Sequence, residues 1–186
     1  MADRVVTVLG ADPGFASFGY SIIRLYPDHE EVVSVNVIRT KKSAKRHKVL
    51  VADDNFRRAR AIAAILMEVI AVHTPAAIAA EAMSFPRNAS AAAKVAMSWG
   101  ILASIVEELQ LPLVQATPQQ LKKTLTGKTS ATKEEIREVL LERYPKQFDT
   151  FMASTPGGQW EHGFDSVGAL VTCLDSDVLR MARGMV

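Results

Sequence analysis

The 186-residue sequence predicts an α/β domain built on a five-stranded mixed sheet flanked by helices, and three observations carry that prediction. Three apolar, β-branched runs follow one another near the N-terminus with only short turns between them. Two further short apolar runs each follow a long stretch of helical periodicity. Two Thr-x-x-Gln/Glu boxes then open helices towards the C-terminal end. A single domain over residues 1–186 is expected, because a core of this size buries roughly 70% of the unfolded chain's surface. With 48% hydrophobic and 23% charged residues, the composition excludes a disordered or collagen-like chain.

Val5, Val6, Val8 and Leu9, closed by Gly10, read as a strand buried on both faces, and Asp12-Pro13-Gly14 reads as a turn. Residues 18–25 resume with strand formers, Pro27-Asp28 punctuates, and residues 32–38 alternate apolar with polar. Strands so close in sequence predict an antiparallel meander. Residues 41–48 form a loop by composition. Asp53 or Asp54 is the expected N-cap of a long helix whose apolar stripe is Phe56, Ile62, Leu66, Val69 and Val72 or His73, ended by Thr74-Pro75. Residues 76–80 read as a buried strand with Glu81 at its C-terminal end.

A helix over residues 88–110 carries Val95, Trp99, Leu102, Val106 and Leu109 on one stripe. Its other side holds Ala92, Ala96, Gly100 and Ala103, small residues that admit a close helix either from the core or from a second copy of the chain. Residues 111–116 are the fifth strand. Thr117, Pro118 and Gln120 open one helix, and Thr132 with Glu135 opens the next, which runs to Tyr144. Residues 145–158 are rich in turn formers and read as a loop. The last helix follows His162 or Gly163 and places Phe164, Val167, Val171, Leu174 and Val178 three and four apart.

Charge is unevenly spread along the chain. Between Arg39 and Arg60 nine basic residues stand against Asp53 and Asp54, a local +7 in a chain of net +2, which leaves −5 elsewhere. Lys122, Lys123, Lys128 and Lys133 form a second basic stretch with no acid between them. Such asymmetry suits a protein that meets a polyanion on one face.

Cys173, the one cysteine, excludes a disulfide framework and reads as a buried small hydrophobe, so a cytoplasmic setting is expected, in a cell or in the host of a phage. No signal peptide is expected, since the apolar run at residues 5–9 is short and flanked by acids. Residues 62–72, read as the most apolar later stretch, carry Glu68 and fall short of a membrane span, so no membrane is expected.

Four candidate ligands fall where elements begin or end: Asp12, Glu81, His162 and Asp165. His162 and Asp165, three apart, share a helix face. Hard oxygen donors from several carboxylates suit Mg²⁺, with Mn²⁺ able to substitute, and such ions clamp the attacking and leaving oxygens of a phosphodiester displacement. Taken singly, Asp12 also fits a turn former, Glu81 an ion-pair member and Asp165 a first-turn helix residue. Gly127-Lys128-Thr129 is not a P-loop, because Lys122 stands where the pattern needs glycine.

Residues 9–14 (Leu-Gly-Ala-Asp-Pro-Gly), followed by Gly19-Tyr20, resemble the first-strand motif of the RuvC-type Holliday junction resolvases. Ala79-Ala80-Glu81, then Asn88 and the Ala-rich helix with Lys94 and Gly100, resemble that family's second motif. Residues 120–133 are similar to its basic segment, and residues 162–170 to its closing motif. The resemblance covers nearly the whole chain. It implies an RNase H-like fold, a homodimer, and a Mg²⁺-dependent endonuclease that resolves four-way DNA junctions by paired nicks. It makes Asp12, Glu81, His162 and Asp165 the catalytic metal site and matches Lys122 and Lys133 to two basic positions that contact DNA or assist at the scissile phosphate. His162 stands where many members carry aspartate, and Glu161 beside it is an alternative ligand.

Phe85 fits either a wedge at the junction centre or a core residue, and Trp160 either stacks on DNA or packs. On this reading DNA is held through Lys41, Lys42, Lys45, Arg46, Lys122, Lys123, Lys128 and Lys133, with Phe85 as the wedge. The competing functions are a nuclease of the same fold acting on other branched or linear DNA, and a DNA-binding homologue without catalysis.

Overall fold

The computed structural model describes residues 5–84 and 87–184, and all but the side chain of Lys45 within them. Strands β1 (Val6–Asp12), β2 (Ser17–Leu25) and β3 (Glu30–Arg39) form the antiparallel meander. β4 (Ala77–Glu81) and β5 (Leu113–Ala116) add parallel strands, giving the order β3-β2-β1-β4-β5. This is the mixed five-stranded sheet that the sequence predicts. Between β3 and β4 runs α1 (Val51–His73), and α2 (Ala89–Leu109) joins β4 to β5. After β5 come α3 (Pro118–Thr126), α4 (Lys133–Arg143), α5 (Pro145–Ser154), α6 (Trp160–Cys173) and α7 (Asp177–Gly184).

Because side chains alternate across a strand, each central strand feeds two cores. Leu9, Ala11, Ile78 and Ala80 pack under Ile62, Leu66 and Ile70 of α1 and Leu102 and Ile105 of α2. Val8, Ala77 and Ala79 point the other way, beneath Leu121, Leu140, Phe148, Phe164, Val167 and Leu170 from α3 to α6. α6 lies on the second face across β1 and β2. Gly10 and Gly19 permit this approach, since a Cβ on Gly10 would meet the Ser166 carbonyl at 2.4 Å and one on Gly19 the His162 carbonyl at 1.9 Å. Gly19→Ala therefore forces α6 off the sheet and is expected to cost about 1–3 kcal/mol or more, read as a lowered urea midpoint.

Both capping boxes form as predicted: Thr117 Oγ1 accepts from the Gln120 amide and Thr132 Oγ1 from the Glu135 amide, each at 3.2 Å. Several boundaries differ from expectation. α1 begins at Val51 behind Leu50 and has no side-chain cap, because the Asp54 carboxylate is turned back to Ser43. Its inner stripe is Asp54, Arg58, Ile62, Leu66 and Ile70, whereas Phe56 is 65% and Val72 76% exposed. On α2, Leu102 of the predicted stripe is buried together with Ser98 and Ile105, and Trp99 and Val106 pack partly buried against the same core, whereas Leu109 is exposed.

The expected loop at 145–158 contains α5. Pro145 presets its first turn, and Phe148 and Phe151 close over Phe164, with the Phe148 and Phe164 rings stacked at 4.1 Å. The predicted last helix is two helices, since the Ser176 hydroxyl accepts from the Leu179 amide at 3.4 Å and restarts the chain as α7. Residues 41–48 include one 3₁₀ turn, Lys45–His47. The longest apolar helix is Ala89–Leu109, not residues 62–72. By length and composition it could span a membrane, and only 17% of its most apolar window is buried here.

Candidate active site

Period-two geometry puts the first two carboxylates on one face. Asp12 follows Val8 and Gly10 on β1, and Glu81 follows Ala77 and Ala79 on β4, so both emerge beneath the N-terminal turns of α6. α6 supplies Asp165 from that side. One carboxylate oxygen from each of Asp12, Glu81 and Asp165 lies within 4.8 Å of the others. Burial, reinforced by the Asp12 charge, pushes the Glu81 carboxyl up to about 7. Burial and then the charges of Glu81 and Asp12 push Asp165 up to about 8, with Lys133 opposing the rise in both. Three half-buried acids this close repel one another unless a proton or a cation sits among them. An all-oxygen donor set of this kind fits a hard divalent cation.

His162 borders the cluster, with its Nδ1 2.6 Å from Asp12 Oδ2. Glu161 lines the same cavity, its carboxylate accepting from Lys133 Nζ. Lys122 and Lys133, from α3 and the first turn of α4, line the same cavity of about 260 Å³ as the acids.

The remaining predicted residues are dispersed. Lys123 is exposed on α3. Lys128 Nζ is held 3.1 Å from Glu135 Oε1. Lys41 and Arg46 lie exposed in the segment after β3, with Arg46 Nε 3.3 Å from His47 Nε2, and Lys42 lines a different cavity. Phe85 and the Lys45 side chain lie outside what the structure describes. Trp160 packs: its Nε1 donates to the Thr155 carbonyl at 2.7 Å and the Arg137 guanidinium sits 4.7 Å above its ring. Lys48 and Lys94, absent from the predicted set, line the cavity that Lys42 lines. Lys94 was legible only as part of the Ala-rich motif, and Lys48 only as one more charge in the basic run.

A family model described as "Crossover junction endodeoxyribonuclease RuvC" matches residues 8–144, a span that includes Asp12, Glu81, Lys122 and Lys133 and stops before His162 and Asp165. Among curated relatives, the Crossover junction endodeoxyribonuclease RuvC of Pseudothermotoga lettingae is 29% identical over 150 residues, covering 76% of this chain and 85% of its own. That of Chlorobium chlorochromatii is 31% identical over 147 residues, covering 76% and 72%. In structure, T. thermophilus RuvC in complex with a Holliday junction substrate superposes with a TM-score of 0.71 over 96% of this chain and 97% of its own, at 23% identity, a likeness of fold. With most of its length matched by the family model, and with relatives covered over more than two thirds of their length, this chain belongs to the RuvC crossover junction endodeoxyribonuclease family.

Proposed function

We propose that the chain is a divalent-metal-dependent endonuclease that recognises four-way DNA junctions and cuts two strands of like polarity, acting as one nuclease domain per subunit of a homodimer in the cytoplasm. The observation that carries this reading is the convergence of Asp12, Glu81 and Asp165 within 4.8 Å at the end of the sheet, with Lys122 and Lys133 on the same cavity. Asp12, Glu81 and Asp165 would hold Mg²⁺, for which Mn²⁺ would substitute, and His162 orients Asp12 at the edge of the donor set. When bound, the metal supplies a lowered pKa for the attacking water and positive charge for the departing 3′ oxygen. Lys122 and Lys133 neutralise the scissile phosphate. Water attacks phosphorus and the P–O3′ bond breaks, leaving 5′-phosphate and 3′-hydroxyl ends.

The dimer is inferred from α2. Ala96, Gly100 and Ala103 stand exposed on an apolar helix, and a Cβ on Gly100 would meet open space. Two such helices can pack closely about a two-fold axis, which sets two sites against two strands. Gly100→Arg is therefore expected to leave the fold intact and convert the dimer to monomer in analytical ultracentrifugation. The function is tested by comparing Mg²⁺-dependent cleavage of a labelled four-way junction with that of a linear duplex carrying the same arms. Symmetric nicks confined to the junction are expected. Equal cutting of both substrates, or junction binding without cutting, would overturn the reading.

A further inference from the structure

On the opposite face of the sheet from the acidic cluster, a cavity of about 550 Å³ opens between the segment after β3 and the first half of α2. Lys42, Lys48 and Lys94 line it, with Ser90 and Asn55 as polar groups and Val49 and Met97 among its apolar walls. The one carboxylate on this wall, Asp54, is already engaged. Its Oδ1 accepts from the Ser43 amide at 3.0 Å, from the Ser43 hydroxyl at 2.7 Å and from Arg57 Nη2 at 2.8 Å. The bonds from Arg57 and Ser43 hold its carboxyl down to about 2. The anion therefore serves the loop and not the cavity.

A second buried charge fastens the same loop. Arg58, 2% exposed, lies 4.5 Å above the Phe15 ring, and its Nε donates to Thr40 Oγ1 at 3.0 Å while Thr40 Oγ1 donates to the Phe15 carbonyl at 2.6 Å. Arg57 Nη2 adds a bond to the Lys41 carbonyl at 2.7 Å. Burying a carboxylate and a guanidinium beneath a polar loop is costly, and hydrophobic residues of the same volume are often as stable. What the arrangement achieves is a fixed position for a loop that carries Lys42 and Lys48. The brace ends at Phe15, three residues beyond Asp12, so the loop is fastened to the turn of the β1–β2 hairpin that carries Asp12.

We propose that this cavity is a second DNA-backbone site, in which Lys42, Lys48 and Lys94 take phosphates of a strand running past the α1–α2 face and Val49 and Met97 pack on its deoxyribose. The proposal rests on the reading of the chain as a DNA-binding nuclease and assigns Lys48 and Lys94 a role there. Asp54 and Arg58 are positioning residues that act through the loop. The site reads backbone and not sequence, so it serves duplex arms and junctions alike.

The test is binding of a four-way junction and of a linear duplex across a salt series in Ca²⁺, for the full chain and its variants. Each of Lys48→Gln and Lys94→Gln is expected to reduce the slope of log K against log salt by about 1, and the pair by about 2. Lys146→Gln, on α5 at the other face, is expected to change it by less than half as much as either. Asp54→Asn keeps all three lysines and makes the face more positive, yet is expected to weaken binding several-fold because Ser43 is released; circular dichroism verifies its fold. Slopes unchanged from the native protein, or changed no more than by Lys146→Gln, would overturn the site while leaving the nuclease reading intact. Tighter binding by Asp54→Asn would show a loosely charged surface and overturn it as well. A lysine effect that persists on both DNAs without junction preference would support the site and sink the junction reading. Absence of DNA binding by the native chain would overturn both.

Discussion

Asp165→Asn is expected to lower metal-dependent junction cleavage by about 10³-fold or more while the junction stays bound. Asparagine keeps the shape of the side chain and removes one of three convergent oxygen charges, and electrostatic groups aimed at a reacting phosphate carry effects of that size. Asp165 projects from α6, the helix that lies across β1 and β2 at Gly10 and Gly19, so its position is set by the scaffold and not by a loop. Single-turnover cleavage at saturating protein isolates the chemical step. Binding measured in Ca²⁺ is expected to hold or tighten, because a negative charge leaves the DNA path. A rate within tenfold of native would remove Asp165 from the catalytic set.

The second large effect is a pH dependence of stability that metal counteracts. Glu81 and Asp165 rise from ordinary values of 4.5 and 3.8 to about 7 and about 8 in the folded protein. Between those limits the folded chain binds protons that the unfolded chain has released, so stability falls as pH rises through this window. Their destabilisation is absent below the unfolded values and complete above about 8. Metal-free protein is thus expected to lose several degrees of Tm from about pH 5 to about pH 8, at roughly 2–4 °C per kcal/mol for a chain of this size. Mg²⁺ binds the ionised acids, so its stabilising shift is expected to be larger at the higher pH. Asp165→Asn, lacking one of the repelling charges, is expected to flatten the metal-free curve and to melt above native near pH 8. Differential scanning calorimetry with and without Mg²⁺ checks all three, and a metal-free Tm independent of pH would contradict the raised carboxyls.

Much of the architecture was legible because it rests on local rules. Alternation and β-branching marked the first three strands, short apolar runs marked the other two, and Thr117 with Gln120 and Thr132 with Glu135 marked two helix starts at their observed residues. Asp12 and Glu81 were legible as carboxylates at strand ends, and residues 162–170 as a motif. The misreadings have a common cause. Asp54 has the chemistry of an N-cap, but its carboxylate is used by Ser43 and Arg57, partners distributed on both sides of it in the chain. Pro145 was counted as a loop former, although at a first helical turn it is a start signal once Phe148 and Phe151 have Phe164 to cover.

The sequence by itself determined the five strand segments, the helix starts at Thr117 and Thr132 and the carboxylates at strand ends, because each depends on residues within a few positions of one another. Only the tertiary structure decided which acids meet. Asp12 and Asp165 are far apart in the chain and approach because two glycines let α6 lie on β1 and β2. It also separated Glu161 from His162, one paired with Lys133 and the other with Asp12. The raised carboxyls of Glu81 and Asp165 arise from the burial and crowding that this convergence imposes, as does the fixed basic loop from the burial of Asp54 and Arg58. Long-range packing sets distance and solvent exposure, and both quantities are absent from any short window of sequence.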